Sequence, residues 1–139
     1  MLNQAYKRGL ILGAASFKSN YGLDKKYSLK KRELIKVFNF CLKEKIVYID
    51  TSNDYRLTNF FNYNKSIKKF KIILKINFNF LEKKTLRQLK NEIFLLVHNF
   101  LSKNKIKKLH CVMLHSENTM ISKNKIKIYE VLKSLKKAK

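Results

Sequence analysis

Ile46-Val47-Tyr48-Ile49-Asp50-Thr51-Ser52-Asn53-Asp54-Tyr55 sets the reading of the whole chain. Its first four residues are apolar and mostly β-branched or aromatic, which predicts a short buried strand from Ile46 to Ile49. The switch to Asp-Thr-Ser-Asn-Asp then marks the strand's carboxyl end. The chain's only Asp residues are Asp24, Asp50 and Asp54. One that closes an apolar run five residues before a Tyr is a candidate functional acid. The plain structural alternative is an Asx turn that stops the strand.

Working outward, Leu10-Ile11-Leu12 reads as a first strand that Gly13 interrupts. The small residues Ala14, Ala15 and Ser16 follow, in a loop where a backbone or a ligand can come close. From an N-cap at Ser28, Leu34, Ile35, Val37, Phe38, Cys41 and Leu42 fall on one helical face. Beyond the central stretch, residues 57–69 are polar-aromatic and weakly periodic, with a short helix expected around Phe60 and Phe61. Phe70 to Ile76 reads as a strand, within which Lys75 needs a partner or a water-facing end. Thr85-Leu86-Arg87-Gln88 has the form of a capping box, and Leu86, Leu89, Ile93, Leu96, Val97 and Phe100 continue at helical spacing to about Lys103. Leu109 to Leu114 is a further strand, ended by His115-Ser116-Glu117-Asn118. Lys125 to Lys136 then carries Ile128, Val131, Leu132 and Leu135 on one face. Alternating strands and helices of this kind predict an α/β fold with a parallel sheet and right-handed crossovers, in one domain over residues 1–139.

Composition bounds the function. The 139 residues are 45% apolar, enough for a core, and carry a formal net charge of +23. Such a charge suggests nucleic acid, but among 32 basic residues the only Arg are Arg8, Arg32, Arg56 and Arg87, and the Lys are spread along the chain. Readers of phosphate and base edges lean on the Arg fork. Abundant Lys, Asn, Ile and Phe with no Pro, no Trp and three Gly fits a coding bias toward A/T-rich codons instead. No specific nucleic-acid partner is therefore expected, only weak attraction to polyanions. Cys41 and Cys111 form no disulfide framework, which points to a reducing cytoplasm. Lys7-Arg8 followed by Gly9 to Ser16 mimics a short signal peptide, but a core strand and its glycine turn explain it; no membrane span is expected.

In parallel α/β folds, functional groups gather beyond the carboxyl ends of strands. Asp50, Lys75 and His115 lie at or near three such ends, and Tyr55 lies in the loop after Asp50. A phenol is a poor proton donor at neutral pH, but a neighbouring ammonium stabilises the phenolate and lowers its pKa. Asp50 would hold Lys75, Tyr55 would be the tunable acid facing a carbonyl oxygen, and His115 would orient the substrate. His110 has the opposite parity to His115 and is expected to face the helices. His98 sits off its helix's apolar stripe. Cys111 and His115 share a strand face, but two ligands without a third predict no metal site.

Gly13-Ala14-Ala15-Ser16-Phe17 with Asn20-Tyr21-Gly22-Leu23, then Tyr48 to Tyr55, then Ile73-Leu74-Lys75, then Met113-Leu114-His115-Ser116, together resemble the amino-terminal half of the aldo/keto reductases. The resemblance runs over nearly the whole chain and is closest to a bacterial branch of the family. It implies four β-α units of a (β/α)8 (TIM) barrel, with NADP or NAD as cofactor and reduction of a small aldehyde or ketone. It places the catalytic tetrad on Asp50, Tyr55, Lys75 and His115, and the cofactor beside Gly13, Ala14 and Asp50.

The chain also departs from the family pattern. Arg56 stands where a Gly usually follows the Tyr, Leu57-Thr58-Asn59 replaces the usual Ser-Glu pair, and Ala14 replaces the usual Thr. The sequence stops at Lys139, where the family continues into its fifth strand, so a truncated half barrel is expected. Such a sheet exposes the face that a barrel would enclose, with Tyr48, Ile73 and Met113 on it, and is expected to associate with itself or with a complementary half. The competing expectations are a catalytically dead remnant and a basic nucleic-acid-associated protein.

Overall fold

The computed structural model describes residues 9–17, 29–55, 65–77, 84–116 and 123–137. Strands β1 (Ile11–Gly13), β2 (Tyr48–Ser52), β3 (Lys71–Ile76) and β4 (Cys111–Leu114) form one four-stranded sheet in that spatial order. Every neighbouring pair is parallel. Helix α1 (Lys31–Lys43) lies between β1 and β2 in sequence, α2 (Leu86–Asn104) between β3 and β4, and α3 (Lys125–Lys137) after β4. This is the α/β architecture with a parallel sheet that the alternation predicts. The helix expected around Phe60 and Phe61 lies outside the described residues, as does Ser28.

Strand alternation divides the sheet into two unlike faces. Ile49, Ile72, Leu74 and Ile76 are at most 1% exposed and join one core with Leu34, Phe38, Leu89, Ile93, Ile128 and Val131 from the three helices. On the opposite face Ile11 is 50% and Met113 47% exposed. Asp50, Ser52, Lys71, Ile73 and Lys75 share that open face by parity, and Ile73, though buried, is outside the core cluster. Phe17 meets Phe38 edge-on and Phe70 meets it at a tilt, each with ring centroids 5.7 Å apart, so the turn after β1 and the approach to β3 are pinned to α1.

The strand ends differ from the sequence reading in one consistent way. β2 begins two residues after Ile46 and continues through Asp50, Thr51 and Ser52, pairing Ser52 with Lys75. Asp50 is therefore inside the strand and does not close it. A parallel ladder is built from backbone groups and tolerates polar side chains wherever one face is open, so a change of side-chain polarity does not end it. Gly13 likewise pairs with Asp50 as the last residue of β1 and does not interrupt it. β4 starts at Cys111, leaving Leu109 and His110 outside.

The helices end by local rules. Thr85 accepts from the Gln88 N–H at 3.3 Å while the Gln88 side chain accepts from the Thr85 N–H at 3.0 Å, the reciprocal capping box expected for α2. The N-cap of α1 is Lys30, which has no side-chain acceptor; the Glu33 carboxylate accepts its N–H at 2.7 Å. Both α1 and α2 close through a left-handed lysine, Lys45 at φ 60° and Lys105 at φ 52°. Ile46 N–H then reaches Cys41 O at 2.8 Å, and Ile106 N–H reaches Leu101 O at 3.0 Å. These are Schellman closures in which Lys occupies the position that favours Gly. No helix among the described residues is long and apolar enough to cross a membrane.

Candidate active site

The carboxyl-terminal edge of the open face is where the polar residues collect. Asp50 in β2 and Lys75 in β3 point to the same side, and Lys75 Nζ lies 2.8 Å from Asp50 Oδ2. Burial pushes the Lys75 ammonium down, but the hydrogen bond and charge of Asp50, with smaller effects of the same kind from Tyr55, outweigh it. Lys75 therefore titrates above the ordinary lysine value and stays charged. This pair is what makes a lysine inside an apolar strand tolerable.

Tyr55 reaches this pair from a 3-10 turn, Asn53–Tyr55, that follows β2 directly. Lys75 Nζ sits 5.7 Å from the centre of its ring. The His115 ring meets the Tyr55 ring edge-on, with centroids 5.6 Å apart and planes at 88°. Asp50, Tyr55, Lys75 and His115, drawn from 66 positions of sequence, thus meet in one cluster at one edge of the sheet.

A second layer of residues, not picked out by the sequence reading, holds this arrangement. Ser52 Oγ lies 2.9 Å from His115 Nδ1 and accepts the Asp54 N–H at 3.2 Å. The Asp54 carboxylate accepts from Asn53 Nδ2 at 3.0 Å and from Asn77 Nδ2 at 3.3 Å. Asn77 N–H in turn donates to Asn53 Oδ1 at 3.4 Å. The turn that carries Tyr55 is thereby tied to the end of β3. Ser52 could have been found from the sequence, since it has the parity of Asp50; Asn77 carried no signal, because its partner lies 23 residues away.

The remaining sequence candidates fall as follows. Gly13 faces Asp50 across the ladder, and among the described residues a Cβ added there would meet no atom within 4 Å. Ala14 is fully buried in the core, and its N–H donates to Asp50 O at 2.9 Å. His110 does not face the helices: it is exposed, and its ring meets Tyr48 of the open face at 5.0 Å. Because β4 starts one residue later, strand alternation does not extend back to it. Among the described residues no three His, Cys, Asp or Glu side chains are grouped as metal ligands would be.

No protein-family model and no curated protein matches the chain. Among solved structures, it is similar to a crystal structure of a candidate aldo-keto reductase from Pseudomonas aeruginosa, with a TM-score of 0.69 and 17% sequence identity. The match covers 94% of this chain and 53% of that one, so this chain spans about half the length of the structure it resembles. At that identity the likeness is one of fold, and the fold shared is a four-strand parallel α/β unit that corresponds to part of an aldo-keto reductase barrel.

Proposed function

We propose that the sheet edge is a carbonyl-reduction site, in which Tyr55 protonates the oxygen of a small aldehyde or ketone and a nicotinamide cofactor, NADP or NAD, is the redox partner. The observation that carries this reading is the Tyr55 ring flanked by the Lys75 ammonium and the His115 imidazole, with Asp50 anchoring the ammonium at 2.8 Å. Gly13 lies beside Asp50 and leaves room for an added Cβ among the described residues, and the nicotinamide ring would lie against the sheet there. Gly13 and Asp50 would hold the cofactor there, while Ala14 keeps the loop fastened to β2 through its backbone. When bound, the reduced nicotinamide supplies hydride to the carbonyl carbon.

The chain's own groups handle the proton. Tyr55 Oη–H donates to the carbonyl oxygen as negative charge builds on it, and the phenolate left behind is stabilised by the adjacent Lys75 ammonium. Asp50 neither gives nor takes this proton; its carboxylate keeps Lys75 charged and fixed. His115 donates a hydrogen bond to the same carbonyl oxygen and so sets the angle at which the phenol approaches. With Tyr55 removed, general-acid catalysis of about 10²–10⁴-fold is lost.

The test uses the full chain. Titration of its tyrosine fluorescence with NADPH and NADH is expected to saturate, and Tyr55→Phe to retain binding while abolishing carbonyl-dependent cofactor oxidation. Absence of saturable binding by the folded chain, or full turnover by Tyr55→Phe, overturns the reading. The exposed Ile11 and Met113 further support association through the open face, with a second copy or a complementary half. Met113→Lys should then shift sedimentation toward monomer; a wild-type chain that is monomeric at high concentration refutes this part.

A further inference from the structure

We propose that Ser52 is a positioning residue that fixes His115 as the tautomer with its hydrogen on Nε2, leaving that N–H free to donate outward. Ser52 is 2% exposed, so its hydroxyl hydrogen cannot be satisfied by solvent. Its oxygen already accepts the Asp54 N–H at 3.2 Å, and its other polar contact is His115 Nδ1 at 2.9 Å. If Nδ1 carried the hydrogen, two donors would face each other or the buried hydroxyl would be left without an acceptor. With Nδ1 as acceptor, the Ser52 hydroxyl is satisfied both as donor and as acceptor.

The rival partner for Nδ1 is Asp54, whose carboxylate would favour the opposite tautomer by accepting from Nδ1–H. It is worse placed. Asp54 Oδ2 is 3.6 Å from Nδ1, beyond hydrogen-bond range, and the carboxylate oxygens already accept the Asn53 and Asn77 amides at 3.0 and 3.3 Å. Asp54 is also exposed, where water competes, whereas Ser52 is enclosed. Among the described residues His115 Nε2 has no hydrogen-bond partner, and the ring is held edge-on to Tyr55. A fixed Nε2–H next to the Tyr55 phenol gives two donors converging on one acceptor, so the preferred ligand atom is a carbonyl or alkoxide oxygen and not a hydroxyl hydrogen. This consequence for the ligand rests on the carbonyl-reduction reading; the tautomer itself does not.

Long-range ¹⁵N–¹H correlation NMR of the histidine rings of the full chain at neutral pH reads the tautomer without cofactor or substrate. With only His98, His110 and His115 present, His115→Gln assigns the signals. The wild-type His115 is expected in the Nε2–H form. Ser52→Ala is expected to reduce the excess of that form by about fivefold, the worth of one net hydrogen bond. Ser52→Thr, which keeps the hydroxyl, should restore it, and Asp54→Asn should leave it unchanged. A wild-type ring protonated on Nδ1, or a ratio that moves with Asp54→Asn and not with Ser52→Ala, overturns the proposal. Because the wild-type spectrum alone can refute it, the proposal stays testable even if a Ser52 variant folds poorly, and it can fail or hold independently of NADPH binding.

Discussion

Asp50→Asn keeps the shape of the side chain and removes its charge, leaving Lys75 with the cost of its burial and without its main partner. At 2.8 Å the gross attraction is about 1.5 kcal/mol in water's dielectric and about 6 kcal/mol at an effective dielectric of about 20. Side-chain exposures of 24% for Lys75 and 29% for Asp50 put the pair between those limits but well wetted. Exposed pairs net at most about 1 kcal/mol, and this one is partly enclosed, so a loss of about 1–2 kcal/mol is expected at neutral pH. For a chain of 139 residues that is roughly 3–7 °C in Tm. The pH dependence is the sharper test. Asp50 raises the folded-state pKa of Lys75 above its unfolded value, so the stability this provides is fully present below the unfolded pKa of about 10.4 and is lost as pH rises through the higher folded value. Urea unfolding of wild type and variant, followed by circular dichroism at pH ~7 and about pH 11.5, should give a stability gap that narrows at the higher pH. A gap of the same size at both pH values, or a variant more stable than wild type at neutral pH, would refute the assignment.

Three further expectations test the scaffold that positions the site. Lys45→Gly and Lys105→Gly each relieve a left-handed backbone at a non-glycine residue and should each raise stability by about 1 kcal/mol in denaturant melts; a loss of stability would mean that the lysine stems contribute packing worth more than the strain. Thr51 is fully buried and its hydroxyl has no partner among the described residues, so Thr51→Val, nearly the same in shape, should stabilise the chain by about 1 kcal/mol, and a drop in Tm would refute this. In thiol labelling of the folded chain, exposed Cys111 should react and buried Cys41, whose thiol burial pushes up, should react only after unfolding; equal labelling rates would place α1 elsewhere.

Much of the fold was legible because its signals are local. The apolar stripe of α1, the Thr85-Gln88 box and the short runs at Ile72 and Val112 each report a single element, and the alternation of elements dictates the parallel sheet. What could not be read was where the strands stop. Polarity changes at Asp50, yet the ladder continues to Ser52 because its backbone bonds to β3 do not depend on which side chain projects into the open face. His110 differs for a related reason: its N–H joins Ile72 O at 2.8 Å, yet it lies one residue before β4, where strand parity no longer sets which face the side chain takes. The two left-handed lysines were invisible for another reason. A chain with three glycines gives no glycine to mark a helix end, so the stop signal is present in the backbone and absent from the letters.

The cluster was legible through the period of two that strands impose. Asp50 and Lys75 sit on one face by parity, and adjacent parallel strands bring that parity into register, so an acid in β2 and an amine in β3 are bound to meet if both strands form. Whether they meet at 2.8 Å or at twice that distance is not a local matter. It depends on the one-rung offset, Asp50 opposite Ile73 and Ser52 opposite Lys75, which lets the long lysine stem lean back across one rung to the carboxylate. That offset also explains Ser52. With Lys75 drawn toward Asp50, the serine directly opposite it is free to turn to the imidazole, 63 residues further on. A longer β2 than the sequence suggested is therefore a condition of the site: had the strand ended at Ile49, neither Asp50 nor Ser52 would have a register to hold it, and Tyr55 would begin its turn from the wrong rung.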